Sequence, residues 1–213
     1  MVSIPEKGIL SLRKILESTS DESIVETNLS LFKCSIDQDI EDFLIKRAIS
    51  FEKAHKSRTY LIVAPESSGP GRLRILAYFS VAIHHLQIPN EVSKSIKRKL
   101  NGIFNNDSVP CYLIGQLARS DSCPKEDLRG HEIIEYALNV VLNAHELVGG
   151  RFALIECKGH EGLLSFYMDN DFTLLPVKEG EYCQLVKFIQ AEKSREMEYS
   201  LPYLKRIFFP EVK

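Results

Sequence analysis

The five cysteines, Cys34, Cys111, Cys123, Cys157 and Cys183, form no C-x-x-C pair and no Cys/His cluster with metal-ligand spacing. That excludes a zinc ribbon and a disulfide framework. Their odd number and wide separation point to free thiols in a reducing, cytoplasmic setting, with no structural metal. Charge of one sign is also missing: 27 Lys+Arg stand against 29 Asp+Glu, a net charge of −2. A nucleic-acid-coating protein and an acidic disordered tail are thereby excluded. No window approaches the roughly 18 consecutive apolar residues of a membrane-spanning helix, so no membrane association is expected. The segment Met1 to Leu16 carries Glu6, Lys7, Arg13 and Lys14, so it has no secretory apolar core. Pro and Gly are too sparse for a long hinge, and there is no internal repeat or low-complexity tract. The expected organisation is an N-terminal extension at 1–28, one domain at 29–190 and a C-terminal tail at 191–213.

What is present is an alternation of strand-like and helix-like stretches. Ile9 to Leu16 is a short helical candidate, and Leu29 to Cys34 reads as a strand. Asp37 is a good helix N-cap. Ile40, Phe43, Leu44, Ala48, Phe51 and Ala54 then step at three and four residues, an amphipathic helix. Tyr60–Ala64 and Leu73–His85 read as strands joined by a turn at Pro65–Gly71. Asn90 is expected to cap a short basic helix ending at Leu100. Cys111–Ala118 is a strand, and a polar loop from Arg119 to Gly130 follows. His131–Val148 is a nearly all-apolar helix stopped by Gly149 and Gly150. Phe152–Cys157 reads as a strand buried on both faces. A helix at Glu161–Asn170 and strands at Phe172–Val177 and Tyr182–Ile189 complete the pattern. Strand, loop, buried helix and buried strand make a βαβ crossover, hence an α/β fold with two parallel strands.

A loop feeding the start of such a helix is a place for an anion, because unpaired N–H groups and the positive end of the helix dipole face it. Here the loop runs Lys125-Glu126-Asp127-Leu128-Arg129-Gly130-His131. Gly130 would let a phosphate approach the backbone, and Lys125 and Arg129 would add positive charge. His131 sits in the first turn, with phosphate contact and a plain solvated helix start as its two readings.

Leu113-Ile114-Gly115-Gln116-Leu117-Ala118, the loop to Gly130, and Leu163-Leu164-Ser165-Phe166-Tyr167-Met168-Asp169-Asn170-Asp171-Phe172 resemble the GCN5-related N-acetyltransferase (GNAT) family. In that family a Gln/Arg-x-x-Gly-x-Gly/Ala loop cradles the pyrophosphate of acetyl-CoA. Lys125 would take the basic position, Leu128 replaces the first glycine, and Gly130 keeps the second. Asp127, Arg129 and His131 lie within the same cradle. The Phe-Tyr pair before Asp171-Phe172 resembles the family's "FYxxxGF" ending, with Asp171 in place of glycine. The resemblance implies a single mixed sheet with splayed central parallel strands and flanking helices. It also implies acetyl-CoA as donor and direct transfer to a primary amine acceptor. Tyr167 would protonate the departing thiolate as general acid. Backbone N–H groups near Gln116, Leu117 and Ala118 would polarise the acetyl carbonyl. Glu156 is the candidate base, acting directly or through water.

Competing readings attach to several residues. A non-catalytic acyl-CoA-binding module is suggested by Leu128 and Asp171. Lys94, Lys97, Arg98 and Lys99 would be a solvated helix face, or a guide for a polyanion such as tRNA. The second use fits the toxin branch of the family, which acts on aminoacyl-tRNA. His84 and His85 are adjacent in a strand and point to opposite faces, so they do not share a metal. Cys157, beside Glu156, reads as core. The tail, with Phe208 and Phe209, is expected to pack on the domain or on a partner subunit, which makes a homodimer plausible.

Overall fold

The structure is a computed structural model and describes residues 7–64, 72–88, 91–104, 106–179 and 182–189. The turn expected at 65–71, the cap expected at Asn90 and the tail at 191–213 lie outside the described residues. The elements run β1 (Gly8–Ser11), α1 (Leu12–Ser18), α2 (Glu22–Ser30), α3 (Gln38–Asp42), a π-helical turn (Phe43–Arg47), α4 (Ala48–Lys53), β2 (Arg58–Val63) and β3 (Ile75–Gln87). They continue with α5 (Lys94–Asn101), β4 (Ser108–Arg119), α6 (Gly130–Val148), β5 (Phe152–Lys158), α7 (Glu161–Asp169), β6 (Thr173–Glu179) and β7 (Tyr182–Phe188). One seven-stranded sheet has the order β1-β2-β3-β4-β5-β7-β6. It is mixed: β4 and β5 run parallel, and the pairs β1·β2, β5·β7 and β6·β7 are antiparallel.

The chain divides into two compact units, one holding 7–80 and 116–133 and the other 81–115 and 134–189. In the first, β1 pairs with β2 from Gly8↔Val63 to Ser11↔Tyr60. Leu10, Leu12, Ile15, Val25, Leu29, Phe32, Phe43, Leu44, Leu61 and Tyr78 form its buried core. This corrects two sequence expectations. Residues 29–34 are not a strand but the end of α2 and the turn after it, because Asp21 caps the helix by accepting from the Ser23 amide. Val25, Asn28, Leu29 and Phe32 then bury at helical spacing. The sheet begins at Gly8, inside the stretch expected to be an extension. The Asp37 cap forms as expected, its side chain accepting from the Asp39 amide.

In the second unit the core is Leu86, Ile88, Leu100, Val109, Cys111, Phe152, Leu154, Leu175 and Val186. The helix α5 is capped by Ser93, whose hydroxyl accepts from the Ile96 amide, so this cap lies three residues beyond the expected one. Gly149 and Gly150 end α6 with φ of 75° and 127°. A Cβ on Gly150 would lie 2.5 Å from the Tyr112 ring, and the Tyr112 hydroxyl donates to the Gly149 carbonyl. The helix stop and the β5 start are thereby held against β4. All five cysteines are buried and unbridged. Among the described residues no group of His, Cys, Asp and Glu could hold a metal ion, and no helix is long and apolar enough to cross a membrane.

Candidate functional site

The phosphate-loop candidates lie in the first unit. The loop is tied down at its start: the Ser120 amide donates to Leu76 O at 2.8 Å and the Asp121 amide to Lys33 O at 2.8 Å. Asp121 also accepts from the Ser35 amide at 2.9 Å. Leu128 is fully buried, and its amide and carbonyl bond Pro124 O and the Arg119 guanidinium. Leu128 stands where the resemblance puts the first glycine of the loop. It plugs the core and anchors the loop, a burial worth about 2 kcal/mol. Lys125, Asp127, Arg129 and His131 are exposed, and Gln116 and Leu117 are half-buried above a buried Ala118. The Gln116 Oε1 atom is sealed from solvent and has no hydrogen-bond partner among the described residues.

An inventory of backbone N–H groups shows what the loop offers. Those of Ser122, Cys123, Asp127, Leu128, Glu132 and Ile133 are used internally. The Arg129 amide donates to Glu132 Oε2 at 2.6 Å, half of a capping box at the start of α6. Among the described residues the amides of Lys125, Glu126, Gly130 and His131 have no acceptor. Glu132 is the residue that the sequence reading missed here. Its carboxyl is held below its ordinary value, first by the Arg129 amide and then by Lys7, whose Nζ lies at 3.1 Å. Its position three residues after the cap was the available signal.

The second unit holds the candidate chemistry. The parallel ladder of β4 and β5 is short, registered at Tyr112↔Ala153 and Leu113↔Leu154, whereas β5 pairs with β7 along its whole length. Tyr167 lies near the end of α7, buried, with Phe166 at 5.2 Å and Phe172 at 5.9 Å between ring centroids. Burial, and then the neighbouring Cys157, push its phenol well above the ordinary tyrosine value, so it stays protonated. Among the described residues its hydroxyl has no hydrogen-bond partner.

Glu156 is half-buried on β5 and accepts from Gln184 Nε2 at 2.9 Å, its register partner on β7. Successive strand residues point to opposite faces, so Glu156 and Cys157, the Tyr167 neighbour, point apart. The structure therefore does not bring the two candidate catalytic carboxyl and phenol groups side by side. Gln184 was not singled out from the sequence, since nothing local marks a glutamine in an apolar strand. His84 and His85 differ in exposure, and His85 Nδ1 lies 3.4 Å from the Ser108 hydroxyl. The basic residues of α5 are mostly exposed.

No family model matches the sequence, and no curated protein matches it either. Solved structures do match. A tyrosine-to-phenylalanine mutant of the AtaT toxin, bound to the C-terminus of the antitoxin AtaR and acetyl-CoA, has a TM-score of 0.61 at 18% identity, covering 86% of this chain and 93% of that one. A tyrosine-to-phenylalanine mutant of KacT has a TM-score of 0.65 at 18% identity, covering 86% and 95%. AtaT complexed with acetyl-methionyl-tRNAfMet has a TM-score of 0.62 at 22% identity, covering 85% and 94%. The chain thus shares the fold of these solved structures, an α/β fold on one mixed sheet.

Proposed function

We propose that the chain is a cytoplasmic N-acetyltransferase that takes acetyl-CoA as donor and moves the acetyl group directly to a primary amine. The observation that carries this reading is the set of amides at Lys125, Glu126, Gly130 and His131, around the start of α6, that have no acceptor among the described residues. Backbone donors of that kind suit a pyrophosphate, and the exposed Lys125 and Arg129 side chains add positive charge. Because these donors are main-chain, the leucine at 128 does not remove them. The fold neighbour AtaT has been solved with acetyl-CoA, which supports the same donor here.

In the reaction the amine nitrogen attacks the acetyl carbon, the C–S bond breaks, and the thiolate takes a proton. Tyr167 holds the proton to give, since its phenol is neutral and has no hydrogen-bond partner among the described residues. The amine's own proton leaves toward Glu156, directly or through water. Attacking and leaving atoms lie on different sides of a tetrahedral carbon, so acid and base need not be neighbours.

Calorimetric titration with acetyl-CoA and then CoA tests the donor site: micromolar binding of both supports it, and absence of binding to either removes it. A second reading of the acceptor is aminoacyl-tRNA, favoured by the exposed cations Lys94, Arg98 and Lys99 on α5 together with Lys97. RNA binding that weakens steeply with salt, and loses that slope when Lys97, Arg98 and Lys99 become alanine, supports it. Salt-insensitive binding counts against it. A homodimer and a neutralising partner protein belong to the same reading, and light scattering of the purified chain tests the first.

A further inference from the structure

We infer that Lys187, on β7, is a positioning residue for Tyr167. The inference deepens the acetyltransferase reading and rests on it for the role of Tyr167. The end of α7 is closed by a two-bond cap: the Asp171 amide donates to Met168 O at 3.0 Å, and the Phe172 amide donates to Tyr167 O at 3.1 Å. That pairing is a Schellman motif, whose usual apolar contact is here the edge-to-face packing of Phe172 on Tyr167. The backbone and the ring of Tyr167 are therefore both held by the same turn.

The turn requires a left-handed residue, and Asp171 takes φ of 65°. Glycine adopts that conformation freely, whereas a residue with a Cβ is strained there. Lys187 offsets the strain at three points. Its ammonium donates to Asn170 O at 2.9 Å, pairs with Asp171 Oδ2 at 3.3 Å, and lies 5.9 Å from the centre of the Phe172 ring. Asn170 adds a bond from Nδ2 to Phe166 O at 2.7 Å. Lys187 is paired in register with Ala153 of β5, so the cation ties the turn beneath Tyr167 to the strand beside β5. It touches neither the Tyr167 hydroxyl nor Glu156, and acts through the turn alone.

The test compares Lys187→Met, Lys187→Arg and the double variant Lys187→Met/Asp171→Gly with the wild type. Three readings are taken: kcat, KM for acetyl-CoA, and hydrogen exchange at the Phe172 amide. Lys187→Met is expected to lower kcat about 10- to 100-fold with KM within about twofold, the cost of a loosened catalytic group. Exchange at Phe172 is expected to quicken with it. Arginine reaches the same oxygens and restores kcat. Glycine at 171 removes the strain that Lys187 offsets, so the double variant also recovers kcat and slow exchange. An unchanged kcat in Lys187→Met, a rise in KM alone, or no recovery in the double variant overturns the inference. If the wild type turns over no substrate, the acetyltransferase reading fails instead. Exchange at Phe172 then still decides whether Lys187 holds the turn, and unchanged protection overturns it.

Discussion

In the proposed enzyme, the loop in the first unit and the tyrosine in the second solve different chemical problems with different parts of the chain. At the loop the useful groups are amides of Lys125, Glu126, Gly130 and His131, supplied by backbone shape. Side-chain identity there matters mainly for anchoring, which is why a buried Leu128 and an Asp121 bonded to the Ser35 amide hold the conformation. At Tyr167 the useful group is one phenol, and its properties come from packing: burial raises its pKa, and rings on either side fix its position. A backbone site tolerates drift in sequence, whereas a side-chain site does not.

Substitutions can break this contrast in order of size. Tyr167→Phe keeps the rings packed and removes only the proton. Turnover is expected to fall at least about 100-fold while acetyl-CoA affinity is unchanged, read by kinetics beside calorimetry. Equal turnover in the two proteins would remove Tyr167 as the acid. Because the phenol is held above its ordinary value, kcat of the wild type should show no alkaline decline from this group below about pH 10.

Gly130→Pro is the corresponding cut at the loop. Proline is compatible with the first helical position, yet it deletes one of the amides that have no acceptor among the described residues. Acetyl-CoA affinity should weaken about tenfold with little change in thermal stability, as expected for one hydrogen bond to a charged group. Unchanged affinity would mean that the start of α6 does not hold the phosphates.

Glu132→Gln has the smallest expected effect and sharpens the same point. Glutamine can still accept from the Arg129 amide, but it removes a negative charge from the anion site. Affinity for acetyl-CoA should rise about two- to fivefold. The carboxyl is depressed in the folded protein, so its contribution to stability is present above its unfolded value and lost as pH falls through the folded one. The variant should therefore show a slightly flatter stability profile below about pH 4.3, with the effect reduced by solvent screening.

Much of this was legible in the sequence where long apolar periodicity set the answer. β4, its loop, the long helix α6 with its glycine stop, and β5 lie where the pattern put them. Short elements were not legible. Leu29 to Cys34 is a short, mostly apolar run that reads as a strand, and only the distant Asp21 cap tells that a helix already occupies Leu29. β1 is four residues long and runs straight into α1, so its apolar residues merged with those of the helix. Tyr167, Glu156 and the loop are candidates that the sequence itself offers. Glu132, Gln184 and Lys187 escaped because each acts on a residue whose nearness only the folded chain creates.

The π-helical turn at Phe43–Arg47 carries a consequence for comparing this chain with others. It makes one wider turn within an otherwise α-helical run, keeping Phe43 against Phe51 at 5.3 Å and Glu52 against Arg58 at 2.9 Å. A wide turn of this kind absorbs one extra residue while leaving the flanks in phase. A related chain one residue shorter between Phe43 and Arg47 would close as plain α-helix with the same faces inward. A single gap in an alignment at that place would thus mark a conserved helix rather than a broken one.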